Sequence, residues 1–200
     1  IHLVAPFGGI EGRYATNPIS IGMPKNDGDS LIFDAATSKL AEGKVKVALN
    51  KGSKLPPDTL LDSSGTPTRN PAALYTEPRG ALMPMGEYKG SGLAIMTDLL
   101  AGAIGGGGCH APGVTALSNG MFSILIDPGV FVHRDFVDSE TNKFSDWVRQ
   151  TVPADLNYPV QLPGDPERKS EAELRKHGIT LDDSTWQQIV STAEDLGVTP

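Results

Sequence analysis

Two short stretches place chemically useful groups beside sequence that reads as the start of a helix. Leu31-Ile32-Phe33 has the character of a strand that delivers Asp34-Ala35-Ala36-Thr37-Ser38 to a helix N-terminus, where unpaired backbone N–H groups and the helix dipole favour an anion. The small side chains let a ligand approach closely; equally, Asp34 or Ser38 can serve as an ordinary helix cap. The second stretch, Met85-Gly86-Glu87-Tyr88-Lys89-Gly90-Ser91-Gly92, sets one lysine among glycines directly before an apolar run. A lysine there can meet a phosphate or a carboxylate as a compact charge, or sit solvated in a turn. The Gly-Lys-Ser/Thr order of a Walker loop is missing, and no Gly-x-Gly-x-x-Gly follows a strand, so neither phosphate-binding fingerprint is present. The histidines at 2, 110, 133 and 177 share no metal-ligand spacing with one another or with Cys109, and no metal site is expected. His177 falls in a last helical turn, where a cation is welcome. Cys109 follows Gly105 to Gly108 with nothing nearby to activate its thiol, so both residues read as structural.

The elements that must hold these groups follow from periodicity. Short strands are expected at Ile1 to Val4, Ile19 to Met23 and Leu31 to Phe33, separated by turns at Phe7-Gly8-Gly9, Asn17-Pro18 and Asn26-Asp27-Gly28. Apolar residues at 40, 41, 45, 48 and 49 predict a helix from about Ser38 to Asn50, with Ser38 as cap and Gly52 just past its end. Gly52 to Gly86 shows no sustained period and reads as a long irregular excursion. Gly90 to Gly105 predicts a central helix buried on most sides, and Met121 to Ile126 a buried strand stopped by Asp127-Pro128-Gly129. Phe136, Val137, Glu140, Phe144, Trp147 and Val148 outline an amphipathic helix. Two more helices close the chain. One runs from Arg168 to His177 with Gly178 as its left-handed stop; the other runs from Asp182 to Leu196, burying Trp186, Ile189, Val190, Ala193 and Leu196.

Composition excludes several classes of function. A formal charge of -7 over 200 residues, with no basic cluster longer than Arg168-Lys169, leaves no footprint for a phosphodiester backbone. The longest apolar run, Leu93 to Ile104, contains Asp98 and falls well short of the ~20 residues that span a bilayer. No nucleic-acid or membrane partner is expected. A single cysteine suits a reducing compartment, so a cytoplasmic setting is expected. The absence of an initiator Met, and the strand-like start, suggest the C-terminal part of a longer protein.

Taken in order along the chain, the motifs resemble the type-2 malate/L-lactate dehydrogenase family, which also includes ureidoglycolate and sulfolactate dehydrogenases and cyclic-imine reductases. The stretches that carry the resemblance are Val4-Ala5-Pro6-Phe7-Gly8-Gly9, Thr16-Asn17-Pro18-Ile19, Asp34-Ala35-Ala36-Thr37-Ser38, Gly43-Lys44, Leu55-Pro56, Asp62 with Gly65 through Thr68, Gly86 through Leu93, and Leu162-Pro163-Gly164-Asp165. The resemblance implies an α+β (mixed α/β), non-Rossmann NAD(P)-binding fold with a large, mainly antiparallel sheet flanked by helices. It implies a cofactor-binding part over residues 1–130, a C-terminal helical segment over 131–200, and a homodimer. By the same resemblance the cofactor is NAD or NADP, contacted by Asp34, Ala35, Ala36, Lys89, Pro163, Gly164 and Asp165. The substrate is a small 2-hydroxy or 2-oxo acid near Thr16 and Asn17, and Asp34 is the carboxylate that orients a catalytic histidine. A cyclic-imine reductase, or a catalytically incomplete dinucleotide-binding or dimerisation module, are the alternatives. Glu87 and Ser91 stand where the family tends to have glycine and tyrosine, Ala35 where methionine is usual, and Asn70 where an aspartate commonly precedes the proline. The family's catalytic histidine and substrate-binding arginine belong to an N-terminal portion with no counterpart in these 200 residues.

Overall fold

The computed structural model describes residues 2–26, 28–114 and 119–199. Among them the elements run, in chain order, β1 (Ile19–Met23), β2 (Leu31–Ala35), α1 (Glu42–Asn50), β3 (Leu60–Leu61), β4 (Pro67–Thr68), β5 (Ala81–Leu82), α2 (Tyr88–Asp98), α3 (Arg134–Arg149), α4 (Asp165–His177) and α5 (Asp183–Asp195). The mixed α/β architecture with antiparallel pairing is the expected one, and the pairing is divided between a two-stranded sheet, β1-β2, and a three-stranded sheet ordered β4-β3-β5. The chain forms two units. One comprises Ile1–Pro18, Ala36–Phe122 and Thr180–Pro200; the other comprises Ile19–Ala35 and Ser123–Ile179. None of the helices described is long and apolar enough to cross a membrane.

The first unit holds the core. Val4, Tyr14, Val45, Leu55, Leu60, Leu74, Leu82 and Ala94 pack as one buried cluster, and Ala5, Leu61 and Ala81 as a smaller one. Six of these eleven lie between residues 52 and 86, the stretch expected to be an irregular excursion. Its strands are two residues long, too short for alternation to register, yet they carry much of the burial that the hydrophobic effect rewards. Of the strand expected at the N-terminus only Val4 pairs, bridging Tyr14 and Leu82; Ile1, like Asp27 in the expected 26–28 turn, lies outside the described residues.

Helix α1 starts at Glu42, later than expected, because Ser38 does not cap it. The Ser38 hydroxyl donates to the Leu40 carbonyl, and the cap position falls to Ala41, which makes no side-chain cap bond. The helix ends in a Schellman arrangement: Gly52, at φ 61, donates to Leu49 O and Ser53 to Ala48 O. Helix α5 begins as expected, with the Asp182 carboxylate accepting from the amide and hydroxyl of Thr185, and Asn50 donates to Thr185 Oγ1 at 3.3 Å.

Helix α2 continues as a wider π turn through Leu99–Ile104. The expectation of burial on most sides is not met: Gly90, Ser91, Ala94 and Gly102 are buried, while Leu93, Ile95, Met96, Leu99 and Ile104 are exposed. The same correction applies elsewhere. Met121 to Ile126 forms no strand among the described residues and is largely exposed. Phe136, Phe144 and Trp147 on α3, and Trp186, Ile189 and Leu196 on α5, are exposed although the helices themselves are where periodicity puts them. Apolar periodicity records that a face gains from cover; it does not say that the same chain supplies the cover.

In the second unit β1 and β2 form an antiparallel hairpin in which Ile19 faces Ala35 and Ser20 faces Asp34. Ile32 N donates to Pro163 O at 3.2 Å, and Arg168 Nη1 to Ser30 O at 3.0 Å, which pins the start of α4 against the hairpin. Helix α4 begins at Asp165, a few residues before the expected Arg168, and stops as expected at Gly178, φ 81.

Candidate functional site

Three motifs widely separated in sequence meet in the first unit. Thr37, fully buried, donates from its amide and its hydroxyl to the Thr16 carbonyl, both at 2.9 Å. The Thr37 carbonyl in turn accepts from Met85 N at 2.9 Å, and Lys39 N donates to Met83 O at 2.8 Å. Gly90 then lets α2 start against this backbone: a Cβ there would lie 2.1 Å from Met85 O and 2.7 Å from Thr37 O. The Ala-Thr-Ser segment, the Thr16-Asn17 segment and the glycine-rich turn are therefore one assembly. Lys89 lies exposed in the first turn of α2, with no side-chain ion pair among the described residues. A cation at the positive end of a helix is electrostatically disfavoured unless an anion joins it. Gly86 and Glu87 precede it at φ 54 and φ 58.

Ser91, 5% exposed, accepts from Phe7 N at 3.0 Å and from the Tyr14 hydroxyl at 3.1 Å. It thus ties the Ala-Pro-Phe-Gly stretch to α2. Burial pushes the Tyr14 phenol up, and the Ser91 bond partly offsets this. Asn17, in the left-handed region at φ 34, donates to Ala94 O at 2.9 Å and to Asp98 Oδ2 at 3.1 Å. Its amide donors are spent within the fold. Asp98 also faces His110 Nδ1 at 2.5 Å and accepts from His110 N at 3.2 Å. Burial pushes the Asp98 carboxyl up, but bonds from His110 and Asn17 outweigh it, so its pKa lies below the ordinary value. Sequence reasoning missed this Asp98–His110 pair. The available signal was a lone carboxylate in an apolar helix, which burial requires to be paired.

In the second unit Asp34 does not stand at a helix N-terminus, contrary to expectation: β2 runs through it to Ala35, and the next helix starts only at Glu42. Instead, Asp34 lines a recess of about 310 Å³ together with Ile32, Phe33, Leu162, Pro163, Gly164 and Glu167. Asp34 and Pro163-Gly164, distant in sequence, share this hollow. Gly164, at φ 95, opens α4. Asp165 accepts from Leu162 N at 2.8 Å and pairs with Arg168 at 2.7 Å and Arg149 at 3.0 Å. Burial raises its pKa, and these three partners together outweigh burial and hold it below the ordinary value. Its carboxylate is thus a hub that ties the Leu162 backbone to Arg149 of α3 and Arg168 of α4. Ala36 is half-buried in the first unit. No group of three or more metal-ligating side chains occurs among the described residues.

An open hollow lined by apolar side chains, two carboxylates and a glycine has room for part of a nucleotide, at the lower end of ligand-pocket volumes. Comparison with known proteins gives the family of the chain. The sequence profile for malate/L-lactate dehydrogenase matches residues 1–190. Hydroxycarboxylate dehydrogenase B of Escherichia coli K12 is 39% identical over 203 residues, covering 99% of this chain and 56% of the relative. A delta(1)-pyrroline-2-carboxylate/delta(1)-piperideine-2-carboxylate reductase of Pseudomonas syringae pv. tomato is 32% identical, covering 95% of this chain and 55% of that one. The solved sulfolactate dehydrogenase of Methanocaldococcus jannaschii superposes with a TM-score of 0.75 at 28% identity, covering 99% of this chain and 57% of its own. The chain thus spans a little over half the length of these relatives.

Proposed function

The chain belongs to the malate/L-lactate dehydrogenase family, and from that premise we propose that it carries most of the cofactor site of an NAD(P)-dependent oxidoreductase acting on a small 2-hydroxy or 2-oxo acid. The observation that supports this most directly is the convergence of Asp34 with Pro163 and Gly164 on one recess. The nicotinamide supplies or accepts the hydride when it is bound. The residues of this chain bind and orient: Asp34, Pro163 and Gly164 hold one part of the cofactor in the recess, with Asp165 fixing the loop. Ala35 and Ala36 leave room for it to approach, and Lys89 offers its ammonium to an anionic group of cofactor or substrate. Thr16 and Asn17 shape the substrate side. In this reading residues 1–130 form the cofactor-binding part and 131–200 the helical segment of a cytoplasmic homodimer.

Asp34 is proposed on two counts, as a cofactor contact and as the carboxylate that holds a catalytic imidazole in one tautomer and stabilises its protonated form. Its neighbours Pro163 and Gly164 favour the first. A cyclic-imine substrate is a second reading, supported by the Pseudomonas relative. Calorimetric titration of the chain with NADH and NADPH tests the cofactor assignment. Heat with at least one of them is expected, weakened about tenfold or more in Lys89→Ala through loss of a charge-assisted hydrogen bond. No heat with either cofactor would overturn the proposal. A panel of 2-oxo acids and cyclic imines, assayed with the reduced cofactor, separates the two substrate classes.

A further inference from the structure

The β1-β2 hairpin has one closed edge and one open edge. On the β2 side Ile32 N donates to Pro163 O at 3.2 Å, and Ser30 O accepts from Arg168 Nη1 at 3.0 Å. The Ile32 backbone therefore points away from β1, so the facing residues Gly22 and Ile32 form a pair whose N–H and C=O groups turn outward on both strands. Alternation gives Ser20, opposite Asp34, the same orientation. Ser20 and Gly22 thus direct two N–H donors and two carbonyls outward from β1, and among the described residues no backbone bond from another element reaches them. Nothing in β1 blunts this edge. Ile19-Ser20-Ile21-Gly22-Met23 holds no charge and no proline, its register with β2 runs without a bulge, and its residues from Ser20 onward are exposed. Strands that end a sheet ordinarily carry such features, which stop further strands from adding. One face of the hairpin is also wholly apolar, since Ile19, Ile21 and Met23 stand opposite Ala35, Phe33 and Leu31. A two-stranded hairpin is marginal by itself and gains from a third strand.

We propose that β1 is an interior strand of a wider sheet in the intact protein, and that its outer edge takes an extended segment of the same polypeptide from outside these 200 residues, bonded to Ser20 and Gly22. That segment continues the apolar face, with apolar side chains on the side of Ile21. A second copy of the chain is a poorer occupant on grounds of size. The five residues of β1 span only about 16 Å, and a contact one strand wide over that length falls well below the ~800 Å² per partner that holds separate chains together. A covalently joined segment needs no such area, because tethering makes the contact intramolecular. The relatives have chain enough to supply it: the Escherichia coli hydroxycarboxylate dehydrogenase B is covered over 56% of its length. This inference goes beyond the oxidoreductase reading and stands without it.

Amide hydrogen exchange read by NMR tests this on two proteins. One is the 200-residue chain; the other is a single-chain fusion in which the unmatched part of the Escherichia coli relative is joined to it in that relative's order. In the chain, the Ser20 and Gly22 amides are expected to exchange faster than those of Ile21 and Met23, which face β2. In the fusion their exchange is expected to slow by about tenfold or more. Gly22→Pro removes one outward N–H, a change that an open edge tolerates and an interior strand does not. It is expected to leave the thermal midpoint of the chain nearly unchanged and to lower that of the fusion by several degrees. Slow exchange at Ser20 and Gly22 already in the monomeric chain would overturn the inference, as would no slowing in the fusion or an equal effect of Gly22→Pro on both proteins. Protection in the chain that disappears on dilution would also overturn it, by making a second copy the occupant. None of these outcomes depends on cofactor binding.

Discussion

Two glycines two residues apart on α2 are expected to respond to alanine with opposite signs. At Gly90 an added Cβ would lie 2.1 Å from Met85 O, 2.7 Å from Thr37 O and 2.8 Å from Met85 N, all of them backbone atoms. Relief to an ordinary carbon–oxygen separation requires the first turn of α2 to move by roughly 1 Å. That shift stretches the bonds Gly90 N to Met85 O and Met85 N to Thr37 O, both now 2.9 Å. Each buried group left unsatisfied costs about 1–3 kcal/mol, against which alanine recovers about 1 kcal/mol of helix propensity. Gly90→Ala should therefore destabilise by about 1–5 kcal/mol, a large share of the ~5–15 kcal/mol typical of a domain. At Gly92 nothing lies within 4 Å of where the methyl would stand and the residue is exposed, so Gly92→Ala should stabilise by ~0.5–1 kcal/mol. Urea unfolding followed by far-UV circular dichroism measures both. If Gly90→Ala proves as stable as the parent, the close docking of the glycine-rich turn on Thr37 is wrong.

Glu87 adopts φ 58, ψ -118, a conformation that costs a non-glycine residue about 1–3 kcal/mol. Glu87→Gly should raise the thermal midpoint by a few degrees, and a fall would show that contacts of the glutamate side chain outweigh the backbone cost. The Asp98 carboxylate has a folded pKa below its ordinary value. It therefore contributes stability that is fully present above about pH 4–5 and lost as pH falls through the lowered folded pKa. Asp98→Asn should be less stable than the parent at pH 7, by about 1–3 kcal/mol. The deficit should shrink towards pH 3, and parallel acid-unfolding curves would refute the pairing with His110 and Asn17.

Helix positions are legible in the sequence wherever a stop signal accompanies periodicity. Gly52 and Gly178 end α1 and α4 as expected, because a left-handed residue is needed there and glycine takes it without cost. The start of α1 is not legible: Ser38 has the chemistry of a cap, but its hydroxyl is spent on Leu40 O and its backbone on a bridge to Pro84, a long-range pairing that no local rule anticipates. The short strands β3 and β5 are invisible for a related reason. Two residues show no period, and their burial is decided by which distant segments they meet.

The site divides along the same line between local and long-range physics. Residue types and the glycine-rich turn identify Lys89 and Asp34 as candidates, since their chemistry is carried by their own side chains and immediate backbone. What the folded chain adds is adjacency. The Asp34–Ala35–Ala36–Thr37–Ser38 stretch reads as one continuous motif, but Asp34 lines the recess with Pro163 and Gly164, while Thr37 fastens Thr16 to Met85. The strand ends at Ala35 and the chain passes into the first unit at Ala36, so neighbours in such a motif need not serve the same ligand. Glu167 is the converse case. Nothing in its local sequence singles it out, and only the start of α4 three residues early brings its carboxylate to the edge of a hollow built by β2. A carboxylate in the first turn of a helix has a sufficient local reason to be there in the dipole. That it also lines a hollow follows from the hairpin opposite it, and this is why the surroundings of a surface charge have to be read from the fold.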